Sequence, residues 1–191
     1  MATGNRHKVE EIRALLADLP IVVRSLDEFS GAPEVVEDGA TYRENALKKA
    51  RSAATFTGKP ALADDTGLEV DELGGQPGLY SARFAGEGCT FQDNIRKLLQ
   101  LLEGVPSERR GARFVCAIAL VAPGGREKVV EGELHGRITD RQTGGGGFGY
   151  DPVFYAPEVG RTLAELTADE KNRISHRGRA LAKARAVILA E

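Results

Sequence analysis

Ala61-Leu62-Ala63-Asp64-Asp65-Thr66-Gly67-Leu68-Glu69-Val70 is an apolar run that ends in two adjacent carboxylates, a hydroxyl and a glycine before apolar character resumes. It predicts a strand delivering acid groups to a cleft. Successive strand side chains point to opposite faces, so Asp64 and Asp65 are not expected both to face a core, and Gly67 allows a bend just after them. Taken alone, the stretch also fits a solvated Asp-Asp-Thr-Gly turn, because Asp and Gly are ordinary turn formers.

Downstream, Leu68 to Leu73 alternates apolar with acidic residues, as a half-exposed strand does, until Gly74-Gly75 and Pro77-Gly78 break it. Thr90-Phe91-Gln92-Asp93 starts a helix with Phe91, Ile95, Leu98, Leu99 and Leu102 in one apolar stripe. Ala112 to Ala122 is nearly all apolar and fits a strand covered on both faces. Pro123-Gly124-Gly125 turns it into a second strand from Lys128 to Leu134, giving a long hairpin.

Upstream, Thr41 and Glu44 have the capping-box pattern. The helix they begin carries Tyr42, Ala46, Leu47, Ala50, Ala53 and Ala54 on one side and Glu44, Asn45, Lys48 and Lys49 on its polar side. Ile21-Val22-Val23 reads as a short strand, and residues 31–39 as an acidic loop with Glu34, Glu37 and Asp38. Strands and helices intermingle throughout. The fold class is α/β, of the mixed α+β kind, with helices packed on a sheet.

A chain of 191 residues is one domain, 1–191, with a substantial core. Its 26 Lys and Arg against 28 Asp and Glu create no global field, so neither nucleic acid nor a membrane is an expected partner and any basic site has to be local. Cys89 and Cys116 lack metal-ligand spacing and read as reduced thiols of a cytoplasmic protein. No apolar run approaches the roughly 20 residues that span a bilayer, and no basic-then-apolar leader opens the chain.

Three features suit a polyphosphate. Thr3-Gly4-Asn5-Arg6-His7-Lys8 is a glycine turn at a helix start, with Asn5 as N-cap and two cations nearby. Gly144 to Gly147 runs straight into Phe148-Gly149-Tyr150-Asp151-Pro152, which reads as a loop closing on a ligand with Phe148 available to stack on a ring. No Gly-Lys-Ser or Gly-Lys-Thr follows, which excludes a Walker loop. Lys171, Arg173, His176, Arg177 and Arg179 cluster at a helix start. The carboxylates of Glu37, Asp64 and Asp65 add a set suited to a hard divalent cation, and a nucleoside triphosphate would use all four features.

Six motifs in order resemble the non-canonical purine nucleoside triphosphate pyrophosphatases, the inosine triphosphate pyrophosphatase or Ham1-like family. They are Thr3-Gly4-Asn5-x-x-Lys8, Glu37-Asp38-Gly39 with Glu44-Asn45-Ala46, Asp64-Asp65-Thr66-Gly67-Leu68, Gly75-x-Pro77-Gly78-x-Tyr80-Ser81-Ala82-Arg83, Gly146 to Pro152, and Ser175-His176-Arg177. The resemblance implies Mg²⁺-dependent hydrolysis of ITP, dITP and XTP to monophosphate and pyrophosphate by a homodimer. It also implies an elongated mixed β-sheet with flanking helices forming two lobes around a central cleft.

Carried over by motif, Asp65 is the general base and Glu37 with Asp65 the metal ligands. Thr3, Gly4, Asn5, Arg6, His7, Lys8, Lys49, Thr66, Phe148, Gly149, Tyr150, Asp151, Lys171, His176 and Arg177 are the substrate contacts. From pattern alone, a lysine such as Lys49 on a polar helix face is more often solvated. The other readings are a pyrophosphatase of different base preference and a nucleotide- or RNA-binding module without chemistry. Two departures from the family pattern stand out: Thr66 where the family commonly has Ser, and only Met1-Ala2 in place of an apolar strand before Thr3.

Overall fold

The structure, a computed structural model, describes residues 1–3 and 5–190. In chain order the elements are α1 (Arg6–Leu15), α2 (Tyr42–Thr57), β1 (Ala61–Val70), β2 (Pro77–Gly78), α3 (Phe91–Leu101) and β3 (Gly111–Val121). They continue with β4 (Glu127–Ile138), β5 (Phe154–Ala156), β6 (Arg161–Thr162), α4 (Ala168–Ile174) and α5 (His176–Leu189). The strands form one six-stranded sheet in the order β2-β1-β3-β4-β5-β6. β1 runs antiparallel to β2 with Leu68 opposite Gly78, and β4 to β5 with Ile138 opposite Phe154. The α/β class and the β3–β4 hairpin are as expected from sequence.

By contacts the chain divides into two compact units. The first comprises Met1–Asp65, Cys116–Gly132 and Arg177–Glu191; the second comprises Thr66–Val115 and Glu133–His176.

In the first unit the strand segments are covered on both faces, and alternation assigns each residue its cover. Ala61, Ala63, Ala117 and Ala119 pack with Ala46, Ala50 and Ala53 of α2. Leu62, Cys116 and Ile118 pack with Ile12 and Leu16 from the α1 side and with Leu181 and Ala184 of α5. Small residues on the α2 side and branched ones on the other fix how closely each helix approaches. In the second unit, Leu68, Val70, Phe114, Leu134 and Ile138 face a core with Ile95, Leu98 and Leu102. The alternate residues Glu69, Arg113 and Glu133 form a partly exposed charge ladder, with Arg113 2.8 Å from Glu69 and 3.5 Å from Glu133.

Several local expectations change. Gly67 makes no bend: it is buried inside β1, which continues to Val70 before a 3₁₀ turn at Asp71–Leu73. Residues 21–23 form no strand. Val22 is 89 % exposed, and the backbone just beyond turns to the chain start, with the Met1 ammonium donating to Arg24 O and Leu26 N–H to Met1 O. Ala2 N–H donates to Leu62 O, so two residues bridge the 24–26 segment and β1. Thr41 accepts from Glu44 N–H as expected, but the Glu44 carboxylate reaches Ala40 N–H at 2.7 Å. The capping boxes at Thr90, Thr162 and Thr167 are complete.

Candidate active site

Asp64 and Asp65 are both buried, at 0 % and 8 % exposed, because each face of β1 has its own helical cover. Sequence alternation places them on opposite faces; it does not show that both faces are closed.

On the α1 and α5 side, Asp64 Oδ2 lies 3.0 Å from Lys8 Nζ and 3.1 Å from Arg177 Nη2. Arg177 Nε makes a second approach at 3.3 Å, and Arg177 Nη1 donates to Glu11 Oε2 at 2.5 Å. Burial alone would raise the Asp64 carboxyl, but Lys8, Arg177 and Lys49 outweigh it and hold the group well below the usual carboxylate range. Arg177, at 1 % exposed, is held above its ordinary pKa by Asp64 and Glu11 against its own burial. The structure places this expected substrate contact inside a buried charge cluster.

On the α2 side, Asn45 and Lys49 sit four residues apart and face inward, not to solvent as a polar helix face suggests. Lys49 Nζ donates to Asp65 Oδ1 at 3.0 Å and to Glu37 Oε2 at 2.9 Å, while Asn45 Nδ2 donates to Asp65 Oδ2 at 3.3 Å. Burial and the neighbouring Glu37 carboxylate push Asp65 up to about 6 against the pull of Lys49. Burial also opposes ionisation of Glu37, yet Lys49 and a hydrogen bond from Asp65 carry it below its ordinary value. Of the two acids, Asp65 is the one that takes up a proton first as the pH falls. Burial works against the Lys49 ammonium, and Asp65, Asp64 and Glu37 outweigh it, so Lys49 stays charged.

Among the described residues, no group of three or more His, Cys, Asp or Glu stands in position to hold a metal. Two carboxylates are nevertheless enough for a hard cation that takes its remaining oxygens from phosphates and water. Glu37 and Asp65 fit that requirement, because they already converge on one cation, the Lys49 ammonium.

At the chain start Thr3 Oγ1 accepts from Asn5 N–H and Asn5 Oδ1 from His7 N–H, which caps α1 as its sequence predicts. Arg6 and His7 are exposed, whereas Lys8 turns to Asp64. The expected contact at Gly4 lies outside the described residues.

In the second unit, Asp151 organises the glycine loop. Its Oδ2 accepts from Phe148 N–H at 2.8 Å and from Lys171 Nζ at 2.6 Å. A Cβ on Gly147 would lie 2.1 Å from that same oxygen, so the loop closes only with glycine there. Lys171 also stands 4.5 Å from the centre of the Phe148 ring, a cation–π contact. Gly149 is half-buried beside it. Tyr150 is buried and donates to Ser81 O at 2.9 Å, and burial raises its hydroxyl above the ordinary value. His176 stacks on Phe114 with ring centroids 4.6 Å apart. Thr66 is half-buried in β1.

The sequence reading missed Asn45, Glu11, Ser81 and Phe114 as partners of expected site residues. Asn45 and Ser81 stand in motifs that carry the family resemblance, and Asn45 is four residues from Lys49; Glu11 and Phe114 carry no local signal.

The fold class defined by this sheet and these helices is that of solved Ham1 proteins. One from Coxiella burnetii superposes with a TM-score of 0.90 at 43 % identity, over 100 % of this chain and 97 % of that one. A structure described as nucleoside-triphosphatase / dITP/XTP pyrophosphatase from Mycobacterium abscessus gives 0.76 at 45 % identity, over 96 % and 95 %. The sequence of a dITP/XTP pyrophosphatase from Geobacter sulfurreducens is 56 % identical over 182 residues, 95 % of this chain and 92 % of its own. The corresponding protein of Desulforamulus reducens is 54 % identical over 188 residues, 98 % and 94 %. The Ham1 family profile matches residues 1–187, and the chain belongs to the Ham1 family.

Proposed function

We propose that this protein is a nucleoside triphosphate pyrophosphatase that hydrolyses ITP, dITP and XTP to the monophosphate and pyrophosphate, clearing deaminated purines from the nucleotide pool. The observation that carries the reading is the convergence of Glu37, Asp65, Lys49 and Asn45 in a chain more than half identical to proteins named dITP/XTP pyrophosphatase. Mg²⁺ is the cation assigned to Glu37 and Asp65; when bound it would neutralise phosphate charge and orient the attacking water. A homodimer in the cytoplasm completes the proposal.

In the reaction a water oxygen forms a bond to the α-phosphorus and the bond from that phosphorus to the bridging oxygen breaks, with pyrophosphate leaving. Asp65 takes the water's proton. Lys8 and Lys49 supply positive charge to the phosphates, and Thr3, Asn5, Arg6 and His7 line the start of α1 as anion donors. Arg177 serves the site through Asp64, which it shares with Lys8.

Phe148 offers a stacking face for the base, and Thr66, Gly149, Tyr150, Asp151, Lys171 and His176 complete the proposed substrate contacts. Hypoxanthine and xanthine present a 6-oxo acceptor, for which His176 and backbone N–H groups are donors. Adenine's 6-amino group would face those donors, at roughly 1–3 kcal/mol per unsatisfied group.

The test is release of pyrophosphate by purified protein with Mg²⁺. Release from dITP and ITP far faster than from ATP or GTP is expected; release of single phosphates, or equal rates on all purines, would refute the assignment.

A further inference from the structure

Asn45 stands outside every residue assigned above to substrate or metal, yet it is 3 % exposed and both ends of its amide are engaged. Gly39 N–H, on the loop that carries Glu37, donates to Asn45 Oδ1 at 2.8 Å. A backbone N–H can only donate, so the amide oxygen must face Gly39 and the NH₂ must face Asp65 Oδ2, 3.3 Å away. The orientation is thus fixed by chemistry. Asp65 in turn has one oxygen on Asn45 and the other on Lys49.

Gly39 supplies a second, independent observation. A Cβ there would lie 2.6 Å from Asn45 Oδ1 and 2.9 Å from Glu44 Cβ, so the loop reaches Asn45 only with glycine at this position. Ala40 N–H donates to Glu44 Oε2 beside it, which seats the loop on the first turn of α2.

We infer that Asn45 is a positioning residue: its amide fixes the rotation of the Asp65 carboxylate and ties to it the backbone that carries Glu37, setting the spacing of the two acids. The inference rests on the reading of Asp65 as the general base. Asn45 touches no reacting atom and works through Asp65.

Two substitutions separate the ends of the amide. Asn45→Asp keeps an acceptor for Gly39 N–H and loses the donor to Asp65; Asn45→Ala loses both. Turnover of dITP is measured alongside amide hydrogen exchange at Gly39 in the metal-free protein. Both variants should lose about 10- to 100-fold in kcat, the usual cost of removing an outer-shell partner, with KM changed by less than about threefold. Gly39 should stay protected in Asn45→Asp and exchange fast in Asn45→Ala. Gly39→Ala, with Asn45 chemically intact, should reproduce the kcat loss.

Wild-type kcat in Asn45→Ala, which places no new charge beside Asp65, would overturn the inference alone. Equal protection of Gly39 in both variants would overturn it too. An inactive wild type would instead remove the functional reading, and this inference with it.

Discussion

Asp64 and Asp65 are consecutive in one strand and become different chemical groups because different helices cover them. Asp64 faces α1 and α5, where Lys8 and Arg177 close on one oxygen and hold its proton off. Asp65 faces α2, where Lys49 is shared with Glu37 and burial leaves the carboxyl titrating near 6. A neighbouring pair repeats the contrast: Lys48 meets exposed Asp38, whereas Lys49 meets Glu37 and Asp65 in a buried position. Strand and helix periodicity assign each residue a face; the charges on the covering element then decide its chemistry.

The contrast is broken most severely at Asp65. Asp65→Asn should lower kcat for dITP by about 10²- to 10⁴-fold, the usual contribution of a positioned general base, while nucleotide affinity stays near wild type. Steady-state kinetics with a binding isotherm check both halves. Asp64→Ala should act on stability, because Arg177 then loses a carboxylate partner while buried. Removing one partner of a buried pair costs about 3–5 kcal/mol, measurable by denaturant titration.

Two smaller effects sharpen the comparison. In metal-free protein the Asp65 carboxyl carbon should titrate near pH 6, and Glu37→Gln should move that midpoint down by removing the neighbouring charge. The two acids also pull stability opposite ways. Asp65 has a raised pKa, so between pH 3.8 and about 6 the native state holds a proton the unfolded chain has lost, and its contribution weakens as pH rises through that window. Asp64 has a lowered pKa, so its contribution is full above its ordinary value and is lost as pH falls below it. Lys48→Ala, at the exposed pair, should leave turnover and melting temperature close to wild type.

Much of this arrangement was legible in the sequence. The β1 stretch, the β3–β4 hairpin and the helix start at Thr90 follow from local patterns, and at Thr90 a hydroxyl and an acid three residues later act on their own backbone. Elements whose fate depends on distant cover were not legible. Ile21-Val22-Val23 has strand composition, but the backbone beside it pairs with Met1 and Val22 faces solvent. Asn45 and Lys49 look like a solvated helix face because nothing local reveals that Asp65 lies opposite them. The ion-pair partners of Arg177 were hidden for the same reason: Glu11 and Asp64 are 166 and 113 residues away in sequence.

The most direct test sets the two acids against each other in one assay. Asp64→Asn and Asp65→Asn are compared for pyrophosphate release from dITP at a temperature where both remain folded. The account predicts that Asp65→Asn loses kcat with KM nearly unchanged, while Asp64→Asn raises KM through the loosened Lys8 and keeps at least about tenfold more kcat. Equal kcat losses in the two variants, or the greater loss in Asp64→Asn, would contradict it.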